Sequence, residues 1–76
     1  MHITVELQSK IEDVVINIRI RKTRISTATR NLSNANSVED QTRLDLEIKL
    51  LEEEKIKLKT KFIELTMELM LNVENL

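Results

Sequence analysis

From Leu44 to Leu76 a stripe recurs at alternating steps of four and three residues. It reads Leu44, Ile48, Leu51, Lys55, Leu58, Phe62, Leu65, Leu69, Asn72 and Leu76, with only Lys55 and Asn72 polar. Such spacing holds one face of an α-helix against one partner, which is the arrangement of a coiled coil or helical bundle. A helix with a stripe of this length needs a second element to cover it. The rest of the chain must therefore supply one, or another chain must.

Residues 3–32 carry a matching register of Leu7, Ile11, Val14, Ile18, Arg21, Ile25, Ala28 and Leu32. This predicts a first helix over about 3–32. A competing signal lies inside it, because Ile16, Ile18 and Ile20 alternate with Asn17, Arg19 and Arg21 as in a strand. The heptad stripe is longer than that alternation and no turn signal interrupts it, so helix is the reading adopted. Ser9 followed by Glu12 offers a capping box that would start the helix late and leave residues 1–8 extended.

The break in both registers is Asn31–Ser37, Asn-Leu-Ser-Asn-Ala-Asn-Ser. Asparagine tolerates the left-handed conformation that often ends helices, and here it is expected to stand in for the missing glycine. Ser37 with Asp40 three residues on reads as a capping box, and Glu39 adds negative charge at the helix N-terminus. The second helix is then expected over about 38–75, after a turn at about 33–37. So short a connection makes the helices antiparallel neighbours, in a hairpin ~45–55 Å long at ~1.5 Å per residue. The fold class is all-α, one domain over 1–76: an antiparallel two-helix, coiled-coil-like hairpin expected to dimerise into a helical bundle.

Composition supports this class and excludes others. The 76 residues include no glycine, proline, cysteine, tryptophan or tyrosine. A β or α/β domain would have to turn without its usual turn residues. Disulfides and thiolate metal sites are absent, and His2 alone cannot build a histidine metal site within one chain. No glycine-rich phosphate loop exists. Glu52, Glu53 and Glu54 are consecutive and so point in different directions, which makes a paired acid–base site improbable. His2 is expected at the surface near a loose terminus. The reading is therefore no enzyme, no cofactor, no metal and no small-molecule substrate. There is neither an N-terminal basic segment followed by an apolar run nor a stretch of ~18 uncharged apolar residues, so a cytoplasmic protein outside the membrane is expected.

The formal net charge of −1 hides a segregation of charge. Arg19, Arg21, Lys22, Arg24 and Arg30 have no acid between them. Folding back sets them beside Glu39, Asp40, Asp45, Glu47, Glu52, Glu53 and Glu54, while Lys55, Lys57, Lys59 and Lys61 come level with Glu12 and Asp13. Two uses are open for the basic cluster: neutralisation within the hairpin, or contact with nucleic-acid phosphates aided by Thr23, Ser26, Thr27, Thr29 and Asn31. Against the second stands the lack of aromatics for base stacking, Phe62 being alone.

Apolar surface exceeds what two helices can hide. Ile56, Ile63, Met67 and Met70 form a stripe roughly opposite the second helix's seam. Leu71 and Val73 widen it, and Ile3, Val5, Val15, Ile16 and Ile20 lie off the first helix's seam. The expected protein interface comprises Ile56, Phe62, Ile63, Met67, Met70, Leu71, Val73, Val15 and Ile16. It would take a second copy, another protein, or both, and the methionines suit an adaptable surface. Arg21 and Lys55 occupy seam positions where a polar residue fixes register or partner at a cost in stability.

In layout the chain resembles small hairpins that dimerise into four-helix bundles. Plasmid RNA-binding regulators, secretion-system co-chaperones and phage-encoded inhibitors are among them, and no motif here is specific to any. The function expected is a small interaction module of adaptor, chaperone or inhibitor type. The alternative is a dimeric nucleic-acid-binding regulator using the basic half of helix one.

Overall fold

A computed structural model describes residues 2–74, without the side chain of His2. The end of the second helix at 75, the seam position Leu76 and the expected placement of His2 lie outside what is described. Two helices, α1 (His2–Ser33) and α2 (Val38–Glu74), fold back on each other as a hairpin of 58 × 14 × 12 Å. The segment Ile16–Ile20 is helical, so the heptad stripe prevails over the short alternation within it. Ser9 lies inside α1, and the late start it offered is not used.

The turn departs from expectation in one respect. Among the described residues no non-glycine residue has positive φ, so no asparagine takes the left-handed conformation. The last turn of α1 tightens instead: the Asn34 amide donates to the Asn31 carbonyl at 3.1 Å and the Ala35 amide to the Leu32 carbonyl at 3.2 Å. Bonds of this i→i−3 type satisfy carbonyls that the helix end would leave open, without a change of backbone hand. The start of α2 follows the sequence reading. The Asp40 amide donates to Ser37 Oγ at 3.1 Å, the Gln41 amide to the Ser37 carbonyl at 3.1 Å, and Glu39 and Asp40 lie in the first turn. The Gln41 side chain also donates to the Ala35 carbonyl at 3.3 Å, tying the turn to the helix it precedes.

Every described seam position is buried or half-buried. Leu7, Val14, Ala28, Leu44, Leu51 and Leu65 are the buried apolar residues. On the free-end side Leu7, Val14 and Leu65 form one cluster, flanked by Ile11, Ile18, Leu58, Phe62 and Leu69. On the turn side lie Ala28, Leu44 and Leu51, with Ile25, Leu32 and Ile48 half-buried. No described side chain is withdrawn from solvent completely. A core this thin is what a two-layer hairpin of this length can build alone.

Candidate functional site

The seam is interrupted by a polar layer between the two apolar sections. Arg21 Nε lies 3.6 Å from Glu54 Oε1 across the hairpin, and Lys55 Nζ lies 3.4 Å from Glu52 Oε2 on its own helix. Because Glu54 and Lys55 are adjacent in sequence, the cross-helix pair brings the two seam cations to one level. Their side chains are 23% and 19% exposed, with the two glutamates more exposed on the flanks. Arg21 is held further by its own helix: its Nη1 donates to Asn17 Oδ1 at 3.1 Å, and Asn17 Nδ2 donates to the Asp13 carbonyl at 2.8 Å. Arg21 Nε is buried without a hydrogen bond, since 3.6 Å is an ion-pair distance and too long for one.

The expected charge pairing between the helices is mostly not made. Among the described residues Arg21–Glu54 is the single cross-helix ion pair, and the remaining two, Arg43–Asp40 and Lys55–Glu52, are local. Lys57, Lys59 and Lys61 do not reach Glu12 or Asp13 within 4.0 Å. Lys59 lines a groove with Ile18, Arg19 and Lys22, so it lies beside the basic stretch of α1 and not beside Glu12 and Asp13, and an exposed ion pair gains little for the side-chain order it requires. The basic cluster consequently divides. Arg21 faces α2, whereas Arg19, Lys22, Arg24 and Arg30 are exposed and in no ion pair among the described residues. Arg19 and Lys22 join Lys59 around a shallow groove floored by Val15, Ile18 and Phe62, a basic rim over an apolar base.

The expected interface residues divide too. Phe62 turns into the seam and packs on the free-end core, and Val15 is half-buried. Ile56, Ile63, Met67, Met70, Leu71 and Val73 are 54–61% exposed along α2, and Ile16 is exposed on α1. The expected interface leaves out the turn-side extension of this surface, where Leu46 and Leu50 are exposed as well and line a groove with Arg24 and Glu47. The signal was present, because both leucines lie off the heptad seam. Within the strip the Thr60 hydroxyl donates to the Ile56 carbonyl at 3.2 Å, so its hydrogen bond is already made within the helix.

Among the described residues no group of three His, Asp or Glu side chains could hold a metal ion, and no helix is long and apolar enough to cross a membrane. Comparison of the chain with models of protein families, with curated proteins and with solved structures finds no match.

Proposed function

We propose that the hairpin is a small, non-enzymatic protein–protein interaction module whose working surface is the outer face of α2. The observation that carries this is the run of Ile56, Ile63, Met67, Met70 and Leu71, all more than half exposed on a helix whose other face already covers the core. Contiguous exposed apolar surface of this kind marks interaction sites in soluble proteins. It also suits a chain whose own core is thin, since burying it at ~25 cal/mol per Å² adds stability that the monomer lacks. Ile63→Glu with Met67→Glu tests the reading. The substitutions leave the seam intact, so helicity by circular dichroism is expected to persist, while association with a second copy or with a captured protein is lost. Association unchanged in this variant removes the reading.

A second reading draws on a separate observation: Arg19, Lys22, Arg24 and Arg30 are exposed and not neutralised by α2. These four cations could contact phosphates, and Arg21 leaves the set because Glu54 engages it. Binding to RNA or DNA that weakens steeply with salt, and is lost in Arg19→Ala with Arg24→Ala, supports this use. No binding at low salt eliminates it.

A further inference from the structure

We infer that the occupant of the α2 strip is a second copy of this chain, docked antiparallel about a two-fold axis that passes between Lys61 and Phe62. This rests on the interaction-surface reading and names its partner. The starting point is a second heptad register on the outer face of α2, displaced from the seam: Lys49, Glu53, Ile56, Thr60, Ile63, Met67, Met70 and Glu74. Among its apolar members Ile56, Ile63, Met67 and Met70 are exposed, so a helix of matching pattern can be received along the whole row.

The two-fold axis sets Ile56 opposite Met67 of the second copy and Thr60 opposite its Ile63. At the rim it sets Glu53 opposite Met70, and Lys49 opposite Glu74, a pair of opposite charge. Beside the row runs a flank of Leu50, Lys57, Glu64 and Leu71. In an antiparallel pair this flank meets itself in reverse order, which brings Lys57 to Glu64 and the exposed Leu50 to the exposed Leu71, each twice by symmetry. Every position of this flank thus meets a complement, while on the opposite flank Glu52 meets Val73 and Lys59 meets Thr66, with no like charges opposed.

Neighbouring registers do not. Moving the axis half a heptad toward the C-terminus sets Glu64 against its own copy, and moving it half a heptad the other way does the same to Lys57. A parallel pair would match Glu52 with Lys57 and Lys59 with Glu64, but it places Lys49, Glu53 and Glu74 each against itself in the row. Like charges facing at an interface exclude those arrangements more strongly than matched ones add affinity.

The test is sedimentation equilibrium on the full chain, on Lys57→Glu, on Glu64→Lys, on their equimolar mixture and on the double variant. Each single change sets like charges together twice, and the homodimer dissociation constant is expected to rise about tenfold or more. The mixture and the double variant restore opposite charges, and both are expected to return to the wild-type value. A parallel dimer gives the reverse for the double variant, which would weaken further, and so overturns the inference. A dimer indifferent to all four also overturns it, as does a wild type that stays monomeric at about 0.1 mM. The chain has no cysteine, so a second readout is clean. Leu50→Cys mixed with Leu71→Cys is expected to oxidise chiefly to the mixed disulfide, and like-with-like products count against the inference. A monomeric wild type whose captured partner is lost in Ile63→Glu with Met67→Glu removes the second copy as occupant and leaves the interaction surface standing.

Discussion

Arg21 on α1 and Glu54 on α2 meet at 3.6 Å, Nε to Oε1, at the level where Lys55 also enters the seam. Two cations in one layer of a seam otherwise apolar except for Asn72 lower stability and add discrimination, because another alignment of the helices would set a charged side chain against an apolar one. The short turn makes the hairpin antiparallel, and the polar layer is expected to oppose sliding of one helix along the other.

Replacing Arg21 and Lys55 together by leucine is therefore expected to stabilise the hairpin by about 1–3 kcal/mol, since it also removes a buried Nε that lacks a hydrogen bond. The accompanying loss is of uniqueness, visible as mixed or larger species by sedimentation. Glu54→Gln alone should move the unfolding midpoint by less than about 1 kcal/mol, because the glutamate is half-exposed. Destabilisation of the double leucine variant would show that the layer contributes more than its desolvation costs.

Ser37→Ala tests the start of α2. Its hydroxyl accepts from the Asp40 amide at 3.1 Å, so the variant leaves one of the helix's first donors unpaired. A loss of about 1 kcal/mol is expected by urea denaturation, and Ser37→Asp should retain most of the stability.

The sequence carried the seam almost completely and the surface only partly. Leu7, Val14, Ala28, Leu44, Leu51 and Leu65 are buried where the two registers place them, because helix periodicity decides which side chains face inward before any packing detail matters. Ser37 was legible for the same local reason. The ion pairs were not: block charge sets Lys59 level with Glu12 and Asp13, whereas it lines a groove with Ile18, Arg19 and Lys22. The left-handed turn expected from the asparagines does not form. A negatively charged helix start and two i→i−3 bonds close the connection without a left-handed residue.

That turn yields a prediction opposite to the usual rule for helix ends. Since no described residue here has positive φ, glycine gains nothing in the folded state and widens the unfolded ensemble. Asn34→Gly should destabilise the hairpin by about 0.4–1 kcal/mol in denaturant titrations. A stabilising effect would mean that the position samples the left-handed conformation after all.

Leu65 and Ile63 separate the inner from the outer face of α2 most sharply. Leu65 is 5% exposed and clusters with Leu7 and Val14, whereas Ile63 is 57% exposed. Truncating a buried leucine removes its transfer free energy and leaves a cavity that a thin core cannot refill, so Leu65→Ala should cost about 2–4 kcal/mol. That is a large share of the stability of any small domain, and substantial loss of helicity at 25 °C is expected by circular dichroism. Ile63→Ala leaves the hairpin core untouched, and at concentrations low enough to hold the chain monomeric its unfolding midpoint should shift by less than about 0.5 kcal/mol. With the proposed self-association, the wild type is expected to gain more stability than the variant at higher concentration, so their midpoints should diverge. Equal losses in the two variants at low concentration would mean that Ile63 is buried within the single chain, and the division into an inner and an outer face would fail.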